Sequence, residues 1–167
     1  MKVRPIRVEG DVAYVPLTKG YEAVIDAADV HLVVGYNWFA DTSRSSVYAQ
    51  RTVNTGSRPG SIKMHRLILG CPDGFFVDHK DGNGLNNRRS NLRIATVAEN
   101  NRNSKFRKNN TSGYKGVSFH KSSGKWHAVI WVDSKPIFLG AYNNPELAHI
   151  AYVKASYEIH GEFGRVA

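Results

Sequence analysis

Residues 80–91 read KDGNGLNNRRSN, with Leu85 as the single apolar side chain among glycines, asparagines, acids and basic residues. Such a run favours turns over helix or strand, so it is a loop. Short apolar runs bound it, FFVDH before and LRIAT after, and both have the character of strands. Thr96 and Glu99 follow with the spacing of a capping box, in which the threonine bonds an early helical N–H and the glutamate reaches back. A short helix is therefore expected from Val97 through about Asn103. The order is strand, long loop, strand, helix.

Val77–Asn103 holds seven asparagines, the adjacent pair Asp78–His79 and five basic residues, Lys80, Arg88, Arg89, Arg93 and Arg102. Phosphodiester cleavage needs an activated water, a stabilised leaving oxygen and a fixed phosphate. A neutral histidine can take the proton from water because its pKa lies near working pH. One divalent cation can neutralise the leaving oxygen. Magnesium prefers oxygen ligands, keeps several waters and needs only one or two protein groups, which an aspartate and an asparagine carbonyl supply. Asp78 and His79, adjacent on a strand, point in opposite directions. That suits a division of labour, with Asp78 toward a cation and His79 toward a water. The helix then returns Asn100 and Asn101, of which one can face the strand pair, since neighbours differ by about 100° around a helix. A further asparagine can brace the loop through backbone hydrogen bonds.

MHRLI, VDHKDGNGLNNRRSNLRIAT and ENNRN together resemble the HNH nuclease motif of phage and intron-encoded homing endonucleases. The resemblance implies an α+β fold with a ββα-metal core, two strands and a helix around a single ion. It gives His79 the role of general base and Asn91 that of the structural middle member. Asn100 joins Asp78 as a ligand of Mg2+ or Mn2+, with Asn103 as second choice. Arg66, Arg88, Arg89 and Arg93 are candidates for phosphate, each also readable as a surface charge. His65 is core, a brace for the site, or a DNA contact. PLTKGYEAVID, YNW and YAQR are similar to what precedes the motif in such phage proteins. That region either extends the nuclease core or supplies a DNA-contacting sheet.

Upstream, VAYVPL, EAVIDA and SVYAQRTV alternate as short strands, PLTKG and NTGSRPGS read as turns, and KMHRLILG fits a strand or a short helix. VHLVVGYNWFA can start as a helix with Asp29 near its N-cap, and Trp38 and Phe39 belong to the core. Downstream, SKFRKNNTSG is a basic linker whose Lys105, Arg107 and Lys108 either lie along a phosphate backbone or are solvated. YKGVSFH, KWHAVIWV and KPIFLGAY then read as three strands joined by the turns SSG and DSK. Asn144 and Pro145 mark a helix start, Gly161 its end, and Leu147, Ala151, Ala155 and Ile159 form an apolar stripe.

YKGV, GKW, the LG-aromatic triplet and the alanine-rich helix are similar to the plant ethylene-response-factor DNA-binding domain over about the last fifty residues. The resemblance implies a three-stranded sheet laid in the major groove with the helix behind it. The family's base-reading arginines are missing. Lys115 stands in for one, Ser118 and His120 occupy two others, and Val129 and Trp131 replace a glutamate and an arginine. The candidate DNA contacts are Lys115, Ser118, His120, Lys121, Lys125, Trp126 and Lys135, while Tyr142, Leu147 and Ala151 are expected to pack.

Charge agrees with a polyanionic partner. Lys and Arg total 23 against 14 acids, a formal +9, and residues 65–111 alone carry nine basic and four acidic side chains. Cys71 is the only cysteine, which excludes internal disulfides and thiolate zinc cages. No apolar run reaches the roughly 18 residues of a membrane span, and the N-terminus lacks a secretory core. The expectation is a phage-encoded, metal-dependent endonuclease acting on double-stranded DNA in a bacterial cytoplasm, with a monomer favoured and nicking natural to one active site. It is organised as a β-rich region and nuclease core (1–103, motif 65–103), a linker (104–111) and a DNA-binding module (112–167). The alternatives are a DNA-binding protein that does not cut, and a structure-specific or RNA nuclease.

Overall fold

In a computed structural model of the chain, residues 3–43, 46–54, 56, 59–102 and 110–164 are described, without the side chains of Arg102 and Glu162. The chain separates into two units, residues 1–100 and 101–167. Helices and small antiparallel sheets are mixed throughout.

The first unit opens with a meander of β1 (Arg7–Glu9), β2 (Val12–Pro16) and β3 (Glu22–Asp26). Alternation puts Ala13, Val15, Ala23 and Ile25 inward, all buried. A short helix α1 (Val30–Val33) follows, and the Trp38 indole donates to the Val33 carbonyl at 3.0 Å. A second meander is formed by β4 (Phe39–Asp41), β5 (Tyr48–Asn54) and β6 (Pro59–Lys63). The turn expected over NTGSRPGS is shorter than its composition suggests. Pro59, Gly60 and Ser61 pair with Asn54, Val53 and Thr52, which proline permits because β6 is an edge strand. KMHRLILG resolves as helix α2 (Met64–Leu69), closed by Gly70 in the left-handed region.

Strands β7 (Phe76–His79) and β8 (Leu92–Ala95) pair antiparallel, with Asp78 opposite Arg93 and His79 opposite Leu92. Helix α3 (Val97–Arg102) starts two residues after β8. Its capping box is formed: Glu99 accepts from the Thr96 N–H at 2.8 Å, and Thr96 Oγ1 accepts from the Glu99 N–H at 3.3 Å. One hydrophobic cluster joins Val15, Ile25, Trp38, Met64, Ile68, Val77 and Leu92. The N-terminal strands thus extend the core on which β7 and β8 sit.

The second unit is β9 (Val117–His120), β10 (Lys125–Val132) and β11 (Lys135–Tyr142), then helix α4 (Pro145–His160). Asn144 caps α4 by accepting from the Leu147 N–H at 2.9 Å. The apolar stripe of α4 lies one position off the expected one. Ala148, Tyr152 and Ala155 are buried, whereas Leu147 is 48% and Ile159 42% exposed. A four-residue repeat drifts around a helix of 3.6 residues per turn, so of the expected stripe Ala155 is buried and Ala151 half-buried against the core, while the two ends turn outward. Gly116 sits against α4 at φ +73, where any Cβ would strike the Tyr152 ring.

Candidate active site

β7 brings two titratable side chains to one strand end. Asp78 and His79 are each 5% exposed. Their partners differ because they leave the strand on opposite sides. Arg93, across the ladder, places Nε and Nη2 each 2.8 Å from Asp78 Oδ2. His79 Nε2 lies 3.2 Å from Oδ1 of Asn87, which is fully buried. The Asn87 amide nitrogen donates to the Leu85 carbonyl at 3.1 Å, so its oxygen faces the imidazole. An oxygen accepts, and this assigns the ring proton to Nε2 and the lone pair to Nδ1.

Around this imidazole the site is apolar and aromatic. The His65 ring, on α2, stands edge-on to His79 with centroids 5.0 Å apart, and Tyr48 lies 5.5 Å from His65 and 5.8 Å from His79. Burial pushes His79 below the ordinary histidine value and outweighs the Asn87 hydrogen bond and the charges of Asp81 and Asp78, which act the other way. Burial also pushes His65 down to about 3, helped by the positive charge of Lys63 and Arg66 and by His79 once that ring is protonated. Both rings are therefore neutral near pH 7. His65 Nδ1 is buried with no hydrogen-bond partner among the described residues.

The asparagines build the loop. Asp81 accepts from the Asn83 N–H at 2.8 Å, from Asn86 Nδ2 at 2.8 Å and from Asn91 Nδ2 at 3.0 Å. Burial alone would raise the Asp81 pKa, but these hydrogen bonds prevail and hold it low. Asn91 also donates to the Asn86 carbonyl at 2.8 Å and accepts from the Asp81 N–H at 3.1 Å. One side chain so pins both ends of the loop. Gly84 lies under Tyr48, whose ring would stand 2.6 Å from an added Cβ.

The first sheet grips the same loop. The Val24 N–H donates to Leu85 O at 2.8 Å, and the Asn87 N–H donates to Val24 O at 2.7 Å. Arg88 reaches Asp26 at 2.7 Å and Asp11 at 2.6 Å, and Arg89 makes a forked contact with Asp29 at 2.8–3.1 Å. Arg66 donates to the Phe75, Cys71 and Pro72 carbonyls at 2.7–3.1 Å, stapling the connection into β7. The four arginines weighed as phosphate contacts thus all have partners within the unit. Asn100 is half-buried in α3, its N–H on the Thr96 carbonyl at 3.0 Å.

A profile described as HNH endonuclease matches residues 63–102, which run from the end of β6 through α2, β7, the loop and β8 into α3. "Protein 3.8" of Escherichia phage T7 is 37% identical over 94 residues, covering 56% of this chain and 77% of that protein. This chain belongs to the HNH endonuclease family. An uncharacterized HNH endonuclease of Acanthamoeba polyphaga mimivirus is 32% identical over 105 residues, and the chain spans 50% of its length. The plant APETALA2-like protein 2 of Oryza sativa is 33% identical over 51 residues, 30% of this HNH protein and 12% of the plant one. No solved structure gives a significant match.

Among the described residues of this family member, no three His, Cys, Asp or Glu side chains are grouped to cage a metal ion. The pair expected to hold an ion, Asp78 and Asn100, would offer one carboxylate and one amide oxygen, a donor set of another kind. It suits a hard cation that keeps most of its waters. Sequence reasoning missed Asn87. The Asn86–Asn87 pair offers two chemically identical candidates, and what separates them, the Asn87 N–H bonded to the Val24 carbonyl of β3, needs the fold. In the second unit, Ser118, His120 and Lys125 lie on the sheet face turned from α4, and Lys121 and Lys135 are exposed at the turns. Trp126 does not belong with them. It alternates with Ala128 and Ile130 on the face toward α4 and packs in that core, so its place among DNA contacts is withdrawn. Lys105, Arg107 and Lys108 lie outside the described residues, as does Asn103.

Proposed function

We propose that this chain hydrolyses phosphodiester bonds of double-stranded DNA at the Asp78–His79 end of β7, in a ββα-metal arrangement with α3. The observation that supports this best is the buried Asn87–His79 hydrogen bond. Burial keeps the imidazole neutral and this bond puts its lone pair on Nδ1, the form that a general base needs. His79 takes the proton of the attacking water at Nδ1. Asn91 keeps the loop closed beneath it. Asp78 and Asn100 would hold a divalent ion, magnesium or manganese, which when bound supplies the positive charge that stabilises the leaving oxygen. The sheet of the second unit serves as the DNA-binding module, and linking two weak DNA-binding parts raises the local concentration of each. A homing-type role is part of this reading.

The test is nicking of supercoiled plasmid with magnesium, with and without chelator, beside His79→Ala. Cleavage confined to the metal-containing reaction, with His79→Ala slower by roughly 10²- to 10⁴-fold, is the expected outcome. A second reading has one contact in its favour. The buried Arg93–Asp78 pair already neutralises the proposed ligand, as suits a DNA-binding protein that does not cut. Tight DNA binding without nicking under any divalent ion would establish it.

A further inference from the structure

The three-stranded sheet has two faces of different character. Trp126, Ala128 and Ile130 face α4. The register then places Ser118, His120, His127, Val129, Trp131 and Phe138 on the other face. That face is built rather than incidental. His120 and His127 stack at 4.3 Å, and Phe138 stands edge-on to His127 at 5.1 Å. Trp131 is 60% and Phe138 58% exposed. Large rings left open on a sheet mark a binding surface.

Charge says what covers it. Residues 115–142 contain four lysines, Lys115, Lys121, Lys125 and Lys135, against one acid, Asp133, a net +3. The helix behind, residues 145–160, carries Glu146 and Glu158 against Lys154, a net −1. The cationic rim surrounds the aromatic face, as for a polyanion approached from that side. A sheet of this width enters the major groove.

Bidentate readout of guanine uses Arg or Lys, that of adenine Asn or Gln, and cytosine is read by Asp or Glu. Among the described residues of this face Lys125 is the one with a guanine-reading side chain, and none is Arg, Asn, Gln, Asp or Glu. What the face offers in quantity is apolar contact. In the major groove the one apolar group is the thymine 5-methyl. We propose that the exposed face of the β9–β11 sheet recognises duplex DNA through thymine methyl groups, packed against Trp131, Phe138 and Val129, so that its preferred sites are rich in A·T pairs. This rests on the reading of the second unit as the DNA-binding module.

The test uses the full chain in chelator and two short A·T-rich duplexes of one sequence, made with thymidine or with deoxyuridine, which lacks only the methyl. Anisotropy titrations should give tighter binding to the thymidine duplex, by about fourfold for each methyl contacted. In Trp131→Ala, and separately in Phe138→Ala, both exposed positions, that preference should shrink or vanish while lysine-driven binding persists. Equal affinity of the wild type for the two duplexes overturns methyl recognition and leaves the DNA-binding reading standing. Failure to bind either duplex sinks both. Tighter binding to the single strand, without methyl dependence, also overturns the proposal and makes the face a stacking platform.

Discussion

His65 carries an unusual titration. Its unfolded value is 6.5 and its folded value about 3. Above 6.5 both states are neutral there and the burial costs nothing in protons. Below 6.5 the unfolded chain binds a proton that the folded chain refuses, so stability falls as the pH drops toward 3, by up to about 1.4 kcal/mol per pH unit. His79 is shifted the same way. Urea midpoints should therefore decline steadily on acidification, and His65→Gln should flatten that decline. Asn87 is tested by a different pair of readouts. Asn87→Ala should slow cleavage by roughly ten- to hundredfold, as for other groups that orient a working histidine. It also removes a contact that raises the His79 pKa. The acid limb of the rate profile should then move to lower pH, which simple loss of folding would not do.

At the scale of elements, α3 depends on its cap. Glu99→Ala removes the acceptor at Thr96, costs about 1 kcal/mol of helix stability and frays the turn that holds Asn100. The magnesium concentration for half-maximal cleavage should rise. The capping box, the β7 and β8 runs and the Asn144–Pro145 start of α4 were all legible, because each is encoded within a few neighbouring residues. Asp29 shows where local signals stop. It does stand at the start of α1, yet its side chain caps nothing there and instead holds Arg89. Asn86 and Asn87 could not be told apart from composition either, since the side chain of Asn86 is held by Asp81 and the N–H of Asn87 by Val24 of β3. The α4 stripe was misplaced for a related reason. Which side of a helix is buried is decided by the sheet it lies on, and Gly116 lets Tyr152 come close.

Taken as a whole, the chain puts its proposed chemistry and its proposed sequence reading on different units. Weakening the sheet face with Trp131→Ala should raise the DNA concentration needed for half-maximal cleavage and leave the single-turnover rate at saturation unchanged. Raising salt should have the same signature, because phosphate contacts release counterions. A change in the saturated rate would mean that the sheet takes part in the chemistry itself. The role of the first sixty residues also becomes clear only at this scale. Their strands share a core with β7 and β8, and the β1–β2 turn, the end of β3 and the start of α1 supply the three carboxylates, Asp11, Asp26 and Asp29, that meet Arg88 and Arg89.

Those carboxylates sit 60 to 77 positions from their arginines in the chain. The nuclease motif is therefore not a portable cassette. Transplanted into a foreign scaffold as residues 63–102 alone, it would arrive with two guanidinium groups missing their counterions and a Leu85–Asn87 backbone missing its neighbouring strand. A domain-shuffling event, natural or engineered, that preserves activity must carry the meander along with the motif.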